Sequence, residues 1–300
     1  MRNLPKKSII KTLSCLVFSF CINTAFSQLE KRPISLNEES KKYLEIFKDS
    51  MSIDDPFSII GIGYLDVYMG NNTRGNNIME YGLSKMPKPD YEIYHELSVQ
   101  NTKNGNYKQA IKYLDLAANL NSEVYGYYGW VLLYYYRDYA KALTYLEKYD
   151  SLTPNFSDFP AGENINYLKG MAYFNQGNYD KALLEFNKYI QETTAKSGED
   201  WVEVSTFYYK GLCYQRQNNY KEAILNYDKA IKYYDTFPEV YYYRGVCFQA
   251  QKENTNALKD FNKSKELIQK GFRKKDVYIE IFEPVYLQDV ELSIGKYLNK

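Results

Sequence analysis

Apolar and small residues recur along this chain at fixed spacings. From Gly211, positions 3, 12, 16 and 19 residues further on hold Tyr214, Ala223, Tyr227 and Ala230. The same spacing begins again 34 positions later at Gly245. Spacings built from steps of three and four place apolar side chains on one face of an α-helix. Each copy therefore predicts two amphipathic helices. In the copy that begins at Gly211, the polar turn "RQNNY" joins them.

The same template finds four earlier copies, so the repeat extends over most of the chain. Their anchors, at the position of the first glycine, are Gly170, Trp130, Ser98 and Leu65. Gly and Asn in "KNGNY" and "NQGNY" suit tight turns between the two halves. Two joints between copies are longer, and we predict surface loops in "PNFSDFPAG" and "ETTAKSGED". The pattern predicts an all-α array of six helical hairpins over residues 58–271.

The pattern resembles the tetratricopeptide repeat (TPR) family, whose signature has a 34-residue period. It is most complete at residues 170–189, 211–230 and 245–264. The resemblance implies an α-solenoid of about six helical hairpins, of which the first is degenerate. Residues 28–57 are predicted to form a leader with one helix. Residues 272–300 are predicted to form a C-terminal capping helix, interrupted near Pro284, because the end of a solenoid must be shielded.

The N-terminus has the pattern of a secretory signal peptide. Basic residues precede a short apolar run at 13–22, and the small residues Ala25 and Ser27 follow it. We predict a signal peptide at residues 1–27, cleavage after Ser27, and export to the periplasm or, alternatively, release from the cell. A buried N-terminal helix is the alternative interpretation. No later apolar run is long enough to span a membrane, and no Cys stands at the cleavage point to carry a lipid.

Removal of residues 1–27 takes four basic and no acidic residues, so the net charge changes from +1 to −3. This balance disfavours nucleic acid as a partner. Two cysteines then remain, Cys213 and Cys247, at equivalent places in adjacent repeats. Equivalent residues on stacked helices lie roughly 8–10 Å apart, whereas a disulfide needs Cα atoms within about 7 Å. We expect two free, buried thiols, with a disulfide or a shared metal as alternatives.

Residues that could carry catalysis are sparse. His95 is the only histidine, and "GIGYLDVYMG" from Gly61 lacks the third glycine of a dinucleotide-binding loop. Adjacent carboxylates such as Asp54 and Asp55 suit helix caps better than an acid–base pair. We expect no catalytic residues, no cofactor and no metal, and an enzyme is the least favoured class.

The resemblance implies which side chains line a concave groove. In TPR arrays these stand on the first helix of each hairpin, three positions before, one after and four after the small anchor. The predicted partner-binding groove consists of His95, Tyr127, Val131, Tyr134, Tyr167, Met171, Phe174, Tyr208, Gln215, Tyr242 and Gln249. Tyr is enriched at binding hot spots, but aromatic residues at helical spacing also serve as core. Both interpretations stay open at this point.

Two functions remain. The first is an exported scaffold that binds a protein or peptide segment in the groove. We expect it to bind no nucleic acid and to have no membrane-spanning segment after signal-peptide cleavage. The alternative is a small ligand or a cell-envelope glycan stacked on the tyrosines. Tyr stands where the family's carboxylate-binding Lys would be, which disfavours recognition of an acidic C-terminal tail.

A row of basic residues stands directly before three of the anchors, at Lys169, Lys210 and Arg244. We expect these side chains to pair with acidic residues of neighbouring helices rather than to bind an anion. The candidate partners are Glu185, Asp228 and Asp260.

Overall fold

The computed structural model describes residues 34–273 and 279–298. These residues form fourteen α-helices and no β-strand. The helices are α1 (Glu38–Glu45), α2 (Pro56–Tyr68), α3 (Asn72–Lys85), α4 (Tyr91–Lys103), α5 (Tyr107–Leu120), α6 (Val124–Val131), α7 (Tyr139–Asp150), α8 (Ile165–Asn175), α9 (Tyr179–Ser197), α10 (Val204–Arg216), α11 (Tyr220–Tyr233), α12 (Pro238–Ala250), α13 (Asn254–Gln269) and α14 (Leu287–Leu298). The predicted all-α fold of six hairpins is confirmed. The predicted signal peptide lies outside the described residues.

The chain forms two compact units. One contains the described residues up to Asp90 together with the turn Asn104–Asn106, and the other contains Tyr91–Lys103 and the residues from Tyr107 onward. The first unit holds α1 and the hairpin α2–α3. The second holds the hairpins α4–α5, α6–α7, α8–α9, α10–α11 and α12–α13, followed by α14.

In the first unit, α2 and α3 approach closely through two glycines. A Cβ added to Gly63 would lie 2.7 Å from the carbonyl oxygen of Gly75. The sequence template is wrong here, because it places the anchor at Leu65, whose side chain is 47% exposed. The contact between Gly63 and Met79 has the spacing of 16 that the later anchors show. The true anchor therefore stands two residues earlier.

An ion pair is buried in the same unit. The carboxylate of Asp66 is fully buried and accepts hydrogen bonds from Nε and Nη2 of Arg74, each at 2.7 Å. Asn71 donates a third bond to it at 3.0 Å. The Arg74 guanidinium also lies 4.1 Å from the ring centroid of Tyr43. The pair therefore connects α2 to α3.

The five hairpins whose helices form the second unit each turn on a residue with positive φ: Gly105, Arg137, Gly177, Asn218 and Lys252. After three of these turns the N–H of Asn178, Asn219 or Glu253 donates to a carbonyl five residues earlier. This is the 6→1 bond of a helix end that closes on a left-handed residue. The following helix is then capped by a polar side chain: Asn178 accepts from the Lys181 amide, and Asn219 accepts from the Glu222 amide.

One hairpin contains an extra residue, held in a π-helical turn at Leu132–Tyr136. Here the Asp138 N–H donates to the carbonyl of Leu132, six residues earlier, instead of five. The anchor of this hairpin is Gly129, where an added Cβ would meet Leu146 at 2.6 Å. The template assumes constant spacing and so wrongly assigns the anchor to Trp130. The turn matters for the site, because π turns re-aim the side chains that follow them.

Two segments of the structure differ in extent from the sequence prediction. The loop predicted at "ETTAKSGED" is helical up to Ser197, because nothing before Gly198, with φ of 108°, interrupts α9. The predicted C-terminal capping helix begins only at Leu287, and residues 279–286 are not helical. Pro284 cannot donate to a helix, and Glu283 has φ of 56°. α14 packs on α13 through Val290, Phe261 and Ala257.

Both cysteines are free and fully buried, Cys213 in α10 and Cys247 in α12. Burial raises the pKa of each thiol to about 12. Because the thiolate is the reactive form, both cysteines are expected to be inert in the folded chain.

Titration of the chain without residues 1–27 with a thiol-reactive disulfide reagent is expected to find no fast-reacting thiol under native conditions. After unfolding in urea the same reagent should find two. Fast reaction of either cysteine before unfolding would contradict the burial described here.

Candidate functional site

The first helices of successive hairpins share one face in the second unit, where α8 contacts α10 and α10 contacts α12. We call this the first-helix face and define it by Tyr134, Tyr167, Tyr208, Tyr209 and Tyr243. Burial is the largest cause of the raised pKa of each of these hydroxyls, and for Tyr243 it outweighs the lowering effect of Arg216. All five therefore remain protonated and can donate hydrogen bonds at neutral pH.

Residues 279–286, which we call the C-terminal segment, lie on this face. The Tyr208 hydroxyl donates to the carbonyl of Glu283 at 2.7 Å. The Tyr209 hydroxyl donates to the carbonyl of Phe282 at 3.4 Å and accepts from its N–H at 3.2 Å. Two tyrosines of α10 therefore bind the backbone of a non-helical stretch of the same chain.

The Phe282 side chain is the aromatic anchor of the segment and is only 3% exposed. Its ring stacks on Tyr134, with centroids 5.8 Å apart, and meets Tyr139 edge-on at 6.1 Å. The Arg137 guanidinium lies 5.1 Å from the ring centroid. All three partners come from the π turn or the residues just after it, so the extra residue in this hairpin builds the pocket.

The Glu283 side chain provides a second, charged contact. Its carboxylate pairs with Arg216 at 2.9 Å and accepts from the Tyr243 hydroxyl at 3.2 Å. Arg216 and Tyr243 belong to α10 and α12, so this contact connects two hairpins. The first-helix face and its neighbouring turn therefore contact both the ring of Phe282 and the carboxylate of Glu283.

Aromatic rings continue from this pocket toward α4. Tyr134 meets Trp130 at 5.5 Å, Trp130 stacks on Tyr127 at 5.8 Å, and Tyr127 meets His95 edge-on at 4.6 Å. The Glu163 carboxylate accepts from the Trp130 indole at 2.9 Å and from the Tyr134 hydroxyl at 2.7 Å. These bonds fix the orientation of both rings.

A cavity of about 410 Å³ adjoins the C-terminal segment. Phe159 and Trp201 line it from the loops before α8 and α10, and they are 55% and 71% exposed. Its other walls include Tyr167, Met171 and Tyr209. Glu163 and Glu203 add carboxylates to the lining. The first-helix face is therefore open beside the segment that occupies it.

The structure brings only part of the predicted groove together. Tyr134, Tyr167, Met171 and Tyr208 surround the C-terminal segment or the cavity, as described above. His95 and Tyr127 lie at the far end of the ring series. Phe174 is buried against Tyr209, with centroids 5.4 Å apart.

Four predicted residues have other surroundings. Val131 is fully buried in the core, because the π turn shifts its hairpin by one position. Gln215 accepts a hydrogen bond from the Tyr227 hydroxyl at 2.7 Å. Tyr242 packs beside α14, where the Ser293 hydroxyl donates to it at 3.5 Å, and Gln249 is half-buried in α12.

The basic row behaves largely as predicted. Lys169 pairs with Asp150 at 2.8 Å and with Glu185 at 3.5 Å. Arg244 pairs with Asp228 at 2.6 Å and with Asp260 at 2.7 Å. Lys210 differs, because it donates to the amide oxygen of Asn187 instead of to a carboxylate.

Glu239 is a buried acid beside the C-terminal segment. Burial raises its pKa from 4.5 to about 7, although bonding to the Val285 backbone and the charge of Arg273 act in the opposite direction. Tyr208 and Tyr209 are its neutral neighbours on α10. The folded chain holds this proton more tightly than the unfolded chain. The free energy of unfolding should therefore fall as the pH rises from about 4.5 to 7.

Glu239→Gln removes this titration and keeps an oxygen that can accept from Val285. At pH 8 the variant is expected to exceed the original chain in free energy of unfolding by roughly 1–3 kcal/mol. At pH 4 the two should be equal. Urea unfolding at both pH values measures the difference, and a gain that is the same at both would exclude ionisation as its cause.

Sequence reasoning found Tyr134 and Tyr208 but missed the other residues of the occupied site and its surroundings: Trp130, Arg137, Tyr139, Glu163, Tyr209, Arg216, Tyr243, Phe282 and Glu283. Tyr209 follows the predicted Tyr208 and lies in the same contact. "IFEPVY" carried a signal, because Pro284 excludes a continuous helix and the apolar residues around it need cover. Among the described residues, no group of three or more His, Cys, Asp or Glu side chains is placed to hold a metal ion. No helix in the same part of the chain is long and apolar enough to cross a bilayer.

Comparison with known proteins is consistent with this fold. Residues 163–192 and 204–237 each match the tetratricopeptide repeat family. These segments correspond to the hairpins α8–α9 and α10–α11. No curated protein shows significant similarity to the chain.

Several solved structures are similar. The C-terminal part of a TPR repeat-containing protein from Cytophaga hutchinsonii has a TM-score of 0.56 at 18% identity, covering 76% of this chain and 90% of that one. MamA from Desulfovibrio magneticus RS-1 gives 0.52 at 21%, covering 62% and 98%. A chain of the APC/C hetero-tetramer Cut9–Hcn1 gives 0.52 at 13%, covering 87% and 46%. At these identities the similarity is one of fold, so the chain carries tetratricopeptide repeats within an all-α, TPR-like solenoid fold.

Proposed function

We propose that this protein is an exported, non-enzymatic scaffold that binds an extended segment of a protein partner on the first-helix face. One observation carries the proposal: the face already holds a non-helical stretch of polypeptide. Hydroxyl groups of Tyr208 and Tyr209 contact its backbone. Contacts of this kind do not depend on the sequence of the bound segment.

The open cavity beside the segment supports the same proposal. Aromatic side chains such as Trp201 are typical anchors of protein interfaces. Phe159 and Trp201 are largely exposed although they line a concave site. Truncation of either side chain should therefore change binding much more than it changes folding.

The experiment compares two pairs of substitutions in partner capture from the cell envelope. Phe159→Ala with Trp201→Ala removes exposed rings at the cavity. Leu184→Ala with Leu225→Ala is the matched control, because these residues are each 55% exposed on the second helices α9 and α11. We expect the first pair to lose the captured partner and the control pair to retain it. Equal capture by both would contradict the proposal.

A small polar ligand such as a cell-envelope glycan is the second candidate. The cavity falls within the range of about 300–1,000 Å³ that small-molecule sites occupy. It also combines aromatic rings with the carboxylates of Glu163 and Glu203. Calorimetric titration with envelope oligosaccharides separates the candidates, since saturable heat that Trp201→Ala abolishes would favour the glycan.

Export rests on the N-terminal pattern alone. Mass spectrometry of the protein purified from its native cells should find Gln28 as the first residue. An intact Met1 would exclude cleavage after Ser27.

A further inference from the structure

We propose that the C-terminal segment is an internal ligand of the first-helix face. The external partner is then an extended segment in which an aromatic residue is followed directly by an acidic residue. This inference rests on the function proposed above and adds the chemistry of the partner. The partner binds by displacing residues 279–284 from the face.

The chemistry of the partner follows from the contacts that hold the internal segment. The ring of Phe282 lies between Tyr134, Tyr139 and Arg137, and this pocket suits any large aromatic side chain. The carboxylate of Glu283 meets a guanidinium and a hydroxyl, from Arg216 and Tyr243. A basic residue at that position would be repelled. Ring and carboxylate must come from neighbouring residues of the bound segment, because consecutive residues of the internal segment fill the ring pocket of the α6–α7 hairpin and the carboxylate contact on α10 and α12.

The internal segment is suited to release. Glu283 has φ of 56°, a left-handed conformation that residues with a side chain rarely adopt. The segment is also not helical, so its departure breaks no helix. The α14 helix has its own attachment through Val290 against α13. Val285, near the end of the segment, is 2% exposed in the same cluster. Residues 279–284 can therefore leave the face while Val285 and α14 stay in place.

An external segment can gain contacts that the internal one lacks. Ile279, Ile281 and Phe282 of the internal segment line the 410 Å³ cavity. Trp201 and Phe159 nevertheless remain largely exposed in it. A longer partner segment that continues past its aromatic residue could cover both rings. This difference allows a partner to compete although the internal segment has the advantage of being tethered.

The experiment uses the full chain without its predicted signal peptide and a fluorescent octapeptide that copies residues 279–286. Binding is measured by fluorescence anisotropy. The original chain should bind the peptide weakly, because its own segment occupies the face. Phe282→Ala with Glu283→Ala weakens the internal segment and should bind the peptide at least about tenfold more tightly.

Two further variants keep the test decisive if Phe282→Ala perturbs folding. Glu283→Lys places a positive charge beside Arg216 and should release the segment without removing a buried ring. Adding Tyr208→Phe and Tyr209→Phe to either released variant keeps both rings and removes both donors, so the tightened binding should be lost. A peptide with Lys in place of its Glu should bind none of the variants.

The inference is overturned if the released variants fold normally and bind the peptide no better than the original chain. It is also overturned if the Lys-substituted peptide binds as well as the copy. The proposed function is judged separately, by the Phe159 and Trp201 capture experiment. If capture depends on those rings while the peptide fails, the face is an interaction surface and only the chemistry proposed for its partner is wrong.

Discussion

Replacing Arg74 by methionine is expected to lower the free energy of unfolding by about 3–5 kcal/mol, because it leaves the buried Asp66 carboxylate without its counter-ion. Methionine retains much of the apolar stem of arginine. The decrease in the free energy of unfolding therefore arises mainly from the lost charge and hydrogen bonds, and less from lost packing. The neutral donors Asn71 and Tyr43 would remain beside Asp66, but no cation would. Urea unfolding followed by circular dichroism measures the change.

The control is Lys41→Ala in the same unit. Lys41 pairs with Glu38 at 2.7 Å, but both side chains are mostly exposed. Exposed pairs three residues apart on a helix contribute only about 0.3–0.5 kcal/mol. Similar effects of the two substitutions would mean that the Asp66–Arg74 pair is not buried in solution.

The second large effect is expected at the contact that defines each hairpin. A Cβ added to Gly170 would lie 2.5 Å from Cε1 of Phe186, inside the van der Waals distance. Phe186 is fully buried, so its ring cannot turn out into solvent without losing its packing. Gly170→Ala should therefore cost about 1–3 kcal/mol through overpacking.

Gly295→Ala provides the matched control, since it also lies within a helix but an added Cβ meets nothing within 4 Å. That substitution should be neutral or should stabilise the chain by up to about 1 kcal/mol, because alanine favours helix. In a Phe186→Leu background, Gly170→Ala should cost less. An unchanged cost there would show that the ring does not restrict the glycine.

The fold could be predicted from the sequence because the same packing contact recurs in several repeats. Gly170, Gly211 and Gly245 each face an aromatic ring 16 residues later, and that contact is local. The template fails where spacing changes. One inserted residue is absorbed by the π turn at Leu132–Tyr136, and no constant period can indicate which residue is the extra one.

The site could be predicted only in part. The positions of Tyr167 and Tyr208 follow from helix periodicity, so they could be placed on one face. Tyr134 follows from an anchor that the template assigns one residue too late, and it reaches this face through the π turn. What occupies that face depends on contacts between residues more than 70 positions apart, such as Tyr208 with Glu283. Helical patterns report faces within an element, whereas the path of a non-helical segment is set by tertiary contacts.

If the first-helix face binds an extended segment, and residues 279–286 occupy it in the free chain, both contacts should slow amide hydrogen exchange. We would measure this exchange in the original chain and in the Glu283→Lys variant, with and without saturating octapeptide. Peptic fragments that carry flanking residues are distinguished from the added peptide by mass.

In the original chain we expect slow exchange at the Phe282 amide, which donates to Tyr209. In Glu283→Lys that protection should fall, and added peptide should protect residues 204–216 of α10. The contradicting result is fast exchange across residues 279–286 in the original chain, or peptide binding that leaves the exchange of α10 unchanged.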